Sequence, residues 1–344
     1  MATQQDDGGV PVAIAHEQQH FRLLELPPDI VGLLDASDRP LSPSLSLKSK
    51  APAQTSGTPA YAVLCTPNKT FQLRQIQTSN SLLVTQPILQ HHGNDEMPTP
   101  ATCAIASCAV TLQVDASTAS ALGLLRDALA VYDIVAGDVD ATPNGRSKPN
   151  VFADMPVSDG ECEAAWTELM AFELDGSSYQ PSANALSHVW RAINAAALAE
   201  GIPLNQDFLT DDITRPAAEE GHPLTFIQAV LAHLSTDDRV KTGPWSCLDR
   251  AKTVVFTGRT LLASKRGADF LIADFTDTWE DRLPEVWRKD AKLSAIEAFY
   301  ECPSDTTIKA KNTDASAMGR DSAVPAMKLS ARKWHDKFAM TRKK

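Results

Sequence analysis

The chain has 344 residues, 43% of them apolar, and a formal net charge of −11. That length suggests about two domains, or one domain with a string of small modules, and the composition excludes disorder throughout. No run of about 18 apolar residues occurs, which excludes a membrane-spanning helix, and the polar opening with Asp6 and Asp7 does not read as a secretory signal.

The charge is uneven. Residues 1–236 hold 11 Lys/Arg against 27 Asp/Glu, and residues 237–344 hold 21 against 16. An acidic front and a basic end predict separate partners for the two halves, with nucleic acid favoured only at the end. Six cysteines at 65, 103, 108, 162, 247 and 302 form no C-x-x-C pair, so neither a zinc ribbon nor a disulfide framework is expected, and a reducing compartment fits.

Residues 1–19 read as a flexible leader. Phe21 to Leu26 reads as a short strand stopped by Pro27-Pro28. Residues 36–59, rich in Ser, Pro and Ala, read as a long loop. Tyr61–Cys65 is a predicted strand, Thr66–Lys69 a turn, and Thr70–Arg74 a second strand with Phe71 and Leu73 on one face. Thr78-Ser79-Asn80 breaks the pattern before an apolar strand at 81–84. Further strands are predicted over 104–109 and 111–114. Leu122, Leu125, Leu129 and Tyr132 then fall at helical spacing and predict a helix that closes the region.

Residues 136–152 carry Gly, Asp, Pro and Asn and read as a linker. Beyond them the period becomes helical. Ser158 and Glu161 fit a capping box. Apolar stripes follow at Trp166/Leu169/Met170, at Leu186/Trp190/Ile193/Ala197 ended by Gly201, and at Leu224/Ile227/Leu231/Leu234. Three more fall at Ala251/Val255/Leu262, at Ile272/Phe275/Trp279 before Pro284, and at Leu293/Ile296/Tyr300. Segments of strand or turn character at 176–180, 240–248 and 327–334 separate them. Short helices with small wings fit this layout, and so does a plain helical bundle.

The segments FRLLELPPDI and YAVLCTPNKTFQLRQIQTSNSLLV, and near the end DRAKTVVFTGRTLLASKRGADFLIADFTDTWEDRLPEVW and MKLSARKWHDKF, resemble the DCC family of sister-chromatid-cohesion proteins. The resemblance is carried by Leu23–Leu26, Val63–Cys65, Lys69–Phe71, Thr78–Asn80 and Leu82–Val84. Late in the chain it is carried by Leu261-Leu262, Phe275, Trp279, Pro284 and Trp334.

The resemblance implies an α+β fold: an N-terminal β-rich, barrel-like assembly domain followed by tandem winged-helix modules. The expected boundaries are a leader over 1–19, the assembly domain over 20–135 and a linker over 136–152. An abbreviated first winged module covers 153–183, a second 184–247, and a third with its basic tail 248–344, the closing wing being MKLSARKWHDKF. It further implies a non-catalytic subunit of the chromosome-transmission-fidelity clamp loader, an alternative replication factor C complex. The implied partners are two chromosome-transmission-fidelity subunits, replication factor C small subunits through them, DNA polymerase epsilon, PCNA indirectly, and DNA without sequence preference. No membrane partner is implied, and a nuclear location is.

Candidate residues follow. Phe21, Leu23, Leu24, Leu26, Val63, Phe71, Leu73, Leu82 and Leu83 are expected to meet partner subunits, because short strands between long loops leave edges that partner strands can cover. Lys328, Arg332, Lys333, Lys337, Arg342, Lys343 and Lys344, opposed by Asp336 alone, are expected to contact DNA phosphates. Lys265, Arg266, Arg288, Lys289 and Lys292 would extend that patch. Asp274, Asp277, Glu280 and Asp281 read as a solvated helix face. No catalytic, cofactor or metal residue is assigned.

Two other function classes stay open. His16-Glu17-Gln18-Gln19-His20 matches the H-E-x-x-H zinc-hydrolase pattern. That pattern needs a helix and a third ligand, and neither is visible here. A stand-alone winged-helix transcription or chromatin regulator would bind specific DNA instead. Neither a Gly-x-x-x-x-Gly-Lys loop nor a Gly-x-Ser-x-Gly elbow occurs.

Overall fold

The structure, a computed structural model, describes residues 10–34, 44–50, 61–90, 99–134, 145–236, 244–265 and 267–311. It is mixed α/β with a β-rich front. The chain packs as two compact units: the first runs to Val131 and resumes over residues 145–180, and the second takes Tyr132 and the residues from Pro181 onward.

The first unit opens with β1 (Val12–Ile14), β2 (Leu23–Glu25), α1 (Pro28–Leu34), β3 (Ser46–Lys50), β4 (Tyr61–Cys65), β5 (Thr70–Gln90) and β6 (Thr99–Ala116). The sheet order is β1-β6-β5-β4-β3, and β2 also pairs with β6. β1 and β2 run parallel to β6, while β6, β5, β4 and β3 are antiparallel neighbours. The β4–β5 turn is held locally: Thr66 N donates to Lys69 O at 2.9 Å, and Lys69 N donates to Thr66 Oγ1 at 3.0 Å. Ile30, Leu64, Phe71 and Val114 form the core at this end of the sheet, with Leu26 and Leu73 packed against it.

β5 and β6 stay paired from Phe71↔Ala116 to Gln90↔Thr99. The expected chain break at Thr78–Asn80 is a register shift between Gln77 and Leu82 inside one long strand. A bulge of this kind lets the ladder resume after the alternation slips. The two strands expected at 104–109 and 111–114 are likewise one strand.

The first unit continues with α2 (Ala121–Ala128), β7 (Ala130–Tyr132), α3 (Lys148–Asp154), α4 (Asp159–Glu168), β8 (Phe172–Leu174) and β9 (Ser177–Pro181). The small sheet has the order β7-β9-β8. Here the expected boundaries change. Leu125 and Leu129 of the helix expected to close the β domain share one core with Val151, Phe152, Met155, Cys162 and Trp166. The expected linker contains α3, whose Pro149 sits in the first turn, where proline starts a helix instead of breaking one. The core around residues 153–183, the span expected as an abbreviated module, thus takes in α2 from Ala121.

The second unit contains α5 (Ala183–Ala199), β10 (Phe208–Leu209), α6 (Thr210–Glu219), α7 (Leu224–Leu234) and β11 (Trp245–Ser246). It then contains α8 (Arg250–Ser264), β12 (Phe270–Leu271), α9 (Ile272–Asp281), 3-10 helices at Glu285–Asp290 and Leu293–Phe299, β13 (Tyr300–Ser304) and β14 (Thr307–Ala310). Helix, strand, helix, helix, strand, strand therefore recurs three times along the chain. In each copy the first strand pairs with the last: β7 with β9, β10 with β11, β12 with β14. In the second copy the penultimate strand is reduced to a bridge between Ser235 and Leu248. The third copy's hairpin is β13–β14, whereas the wing expected at MKLSARKWHDKF lies outside the described residues.

Within the second unit α5 packs on α8, with Trp190 and Phe256 edge to face at 6.2 Å. The buried face of α8 differs from the expected stripe. Ala251 is exposed, and Val254, Thr257, Gly258 and Leu261 face inward. The reason is Trp279, whose indole lies flush on Gly258 and donates from Nε1 to Val254 O at 3.1 Å. A Cβ at 258 would fall 2.6 Å from the Trp279 ring. Gly258→Ala should therefore destabilise the second unit by about 1–3 kcal/mol through overpacking. Scanning calorimetry reads this as a fall in Tm of several degrees, and an unchanged Tm would contradict the packing described.

Candidate functional site

The expected partner surface divides by burial. Val63 and Phe71 are buried within the first unit, on opposite faces of the sheet, and are withdrawn from the surface: Phe71 packs with Ile30, Leu64 and Val114, and Val63 lies on the other face of β4. Leu23, Leu26 and Leu73 are half-buried. Phe21, Leu24, Leu82 and Leu83 are exposed, the last two by more than half.

Four further exposed apolar residues join them: Val12, Ile14, Leu47 and Leu89. Sequence reasoning missed Val12, Ile14 and Leu47 because residues 1–19 read as leader and 36–59 as loop, and Leu89 because the predicted strand stops at 84. The signal was short: Val12 and Ile14 alternate, as do Leu45 and Leu47. Among the described residues, β3 forms one edge of the sheet and β1 and β2 the other. Open ladder groups and exposed apolar side chains thus occur on the same strands, the combination that strand addition uses.

The sheet is tied to the first repeat by a set of polar contacts. The Lys48 side chain is only 14% exposed. Its Nζ donates to Val157 O at 2.8 Å, to Asp159 Oδ1 at 2.8 Å and to Phe152 O at 3.3 Å. Three acceptors meet three N–H groups, so the ammonium is satisfied without water. Next to it the capping box of α4 forms as the sequence predicts. Glu161 N donates to Ser158 Oγ at 3.2 Å, and Ser158 Oγ donates to Glu161 Oε2 at 2.7 Å. Thr70 of the sheet enters the box: its Oγ1 accepts from Ser158 N at 2.7 Å and donates to the Glu161 carboxylate. Gly160 N donates to Pro67 O at 2.9 Å, and a Cβ at 160 would lie 2.7 Å from that oxygen.

Cys65 and Cys162 are buried beside this junction. Burial pushes the Cys162 thiol up to about 11, partly offset by the Lys48 charge, and burial raises the Cys65 thiol as well. Both are therefore thiols at neutral pH and poor nucleophiles. Cys302 is exposed.

The remaining candidates fall elsewhere. Lys328, Arg332, Lys333, Trp334, Lys337, Arg342, Lys343 and Lys344 lie outside the described residues, as does Arg266. Lys265 stacks its ammonium over Phe270 at 4.2 Å, and Arg288, Lys289 and Lys292 are exposed. Asp274, Asp277 and Asp281 line the exposed face of α9, whose other face buries Phe275 and Trp279. The His16–His20 stretch is not helical, and Ala15 N and Gln19 N donate to Ala104 O and Ile105 O. The two imidazoles therefore lack the one-turn spacing the zinc motif needs. Among the described residues no group of three or more metal-ligating side chains occurs, and no helix is long and apolar enough to cross a membrane.

Lys48→Met keeps the aliphatic stem but strips the Phe152 and Val157 carbonyls and the exposed Asp159 carboxylate of their donor. The first unit should lose about 1–3 kcal/mol. Timed alkylation under native conditions checks this: Cys162 should become accessible faster, while Cys302 labels at its original rate. Equal protection of Cys162 in both proteins would contradict the junction's importance.

A family model described as sister chromatid cohesion protein Dcc1 matches residues 21–321. No curated protein matches the chain. The matched span runs from Phe21, two residues before β2, through all three repeats and ends before Lys328. The chain belongs to the sister chromatid cohesion protein Dcc1 family, which gives it a role in sister chromatid cohesion.

Proposed function

We propose that the chain is a non-catalytic adaptor of an alternative replication factor C clamp loader acting on PCNA. In this reading the β-rich part joins two chromosome-transmission-fidelity subunits, and through them the replication factor C small subunits. The three repeats serve as winged helices that meet DNA polymerase epsilon and DNA. The family's cohesion role is chromosomal, which supports a nuclear location and the complex named.

The observation that carries the assembly half is the exposed apolar set at Val12 and Ile14 on edge strand β1 and Leu47 on edge strand β3, with Leu82, Leu83 and Leu89 on the stretch of β5 beyond its pairing with β4. Single exposed apolar residues are ordinary, but a cluster beside unpaired ladder groups marks an interface. The winged-helix half is supported by the threefold recurrence of one element order with the first strand pairing to the last. The DNA contact is supported by the exposed basic residues Arg288, Lys289 and Lys292 of the third repeat.

The test is co-expression with the two chromosome-transmission-fidelity subunits. The double variant Leu82→Asp/Leu83→Asp should keep the Tm of the parent, since both side chains are exposed, and should co-purify at least about tenfold less partner. Undiminished co-purification would overturn the assembly surface. Duplex DNA should bind weakly, without sequence preference, and with steep loss on added salt. Tight sequence-specific binding by the chain alone would favour the stand-alone regulator instead.

A further inference from the structure

The second repeat presents an apolar pair that its own fold does not cover. β10 and β11 form a two-stranded sheet in which Phe208 pairs with Ser246 and Leu209 with Trp245. Side chains alternate across a strand, so the two pairs point to opposite faces. Phe208 and Ser246 are buried, while Leu209 is 37% exposed and Trp245 50% exposed. Directly opposed side chains lie about 5 Å apart, so the leucine and the indole make one continuous patch. The third repeat provides a control. Its Phe270-Leu271 strand buries the phenylalanine and exposes the leucine in the same way, but Leu271 lies across from Thr307. An exposed leucine at this place belongs to both repeats, whereas the exposed tryptophan opposite it is particular to the second. Tryptophan is among the residue types most enriched at binding hot spots.

Charge selects what covers it. Asp207 and Asp212 bracket Leu209 in the chain, and both are exposed. Asp211 pairs with Arg215 at 2.8 Å, whereas Asp207 and Asp212 have no ion-pair partner among the described residues. The first-turn carboxylates Asp211 and Asp212 outweigh the positive end of α6. Residues 200–223 hold six Asp/Glu against one Lys/Arg. That field repels a nucleic-acid phosphate or an acidic peptide and attracts a cation. The indole narrows the choice of cation. A guanidinium stacks flat on an aromatic face and keeps its edge N–H groups for a carboxylate, which an ammonium on a flexible stem does less well.

We propose that this face binds an arginine-bearing segment of a partner protein. The guanidinium stacks on Trp245 and donates to Asp207 or Asp212, and a neighbouring apolar side chain packs on Leu209. The second repeat is then a protein-binding module, and DNA contact is left to the third. The inference stands on the second repeat alone and does not require the clamp-loader reading.

A displayed library of random peptides, depleted on the Trp245→Ala chain and then panned on the parent full chain, tests this. Retained peptides should carry an arginine beside a large apolar residue. Replacing that arginine by lysine should weaken binding about threefold, and by glutamine about tenfold. The double variant Asp207→Asn/Asp212→Asn should weaken it about tenfold and flatten its salt dependence, with a Tm close to that of the parent. A merely structural role of the two carboxylates would leave the salt dependence unmoved. The proposal is overturned if no peptide is retained, if the retained peptides lack arginine, or if binding survives the Asn substitutions with its salt dependence intact. Displacement of the peptide by a short DNA duplex whose own affinity falls in Trp245→Ala would assign the face to nucleic acid and overturn it. Tighter peptide binding in Arg332→Glu/Lys333→Glu would make the chain's own basic end the occupant, and would overturn it too.

Discussion

A nearly buried ammonium must be surrounded by acceptors, and Lys48 finds them on a different part of the fold. Its stem belongs to β3, at the edge of the β-rich sheet, while the carbonyls of Phe152 and Val157 and the Asp159 carboxylate belong to the first repeat. Removing such a charge from water costs several kcal/mol, so the site is stable only while all three acceptors are in place. Thr70 adds a second tie by entering the Ser158–Glu161 capping box, and Gly160 lets the Pro67 carbonyl touch the first turn of α4. The sheet and the first repeat therefore behave as one rigid body.

The three repeats reach one connectivity by different local means. The first uses a two-residue Asp175–Gly176 turn, both residues at positive φ, to make a tight hairpin. The second keeps only a bridge where the penultimate strand would be. The third replaces its last α-helix with two 3-10 segments. What is retained in all three is the pairing of first and last strands around a helical core. In the second unit that core depends on tryptophans whose indole N–H groups are spent on backbone carbonyls: Trp190 on Arg282, and Trp279 on Val254. An aromatic ring with a satisfied polar edge gives large burial without an orphan donor.

Local chemistry was legible in the sequence, and long-range chemistry was not. The strand at Tyr61–Cys65, its turn, the capping box at Ser158 and the end of α5 at Gly201 each rest on neighbours a few residues apart, and each stands where its pattern predicts. β1 and β3 carry too few alternating residues to stand out from polar surroundings. α3 hides behind a proline that marks a helix start as well as a loop. The inward face of α8 was misassigned because a glycine and three threonines, Thr253, Thr257 and Thr260, count as polar, although they are buried and a tryptophan from α9 lies on the glycine. Val63 and Phe71 show the same limit from the other side, since apolar alternation reveals a face and not what covers it. Lys48, from a stretch read as loop, carried no signal at all, because its partners are about a hundred residues away.

The central claim is that the open edges and apolar strands of the β-rich sheet are completed by partner subunits. Hydrogen–deuterium exchange of the full chain, free and in the complex purified with the two chromosome-transmission-fidelity subunits, tests it most directly. The account predicts partial protection at residues 12–14, 23–25 and 82–90 in the free chain, where β6 pairs one side of each strand, and clearly stronger protection there in the complex, with little change across residues 250–264. Protection of those strands that does not rise in the complex would contradict it.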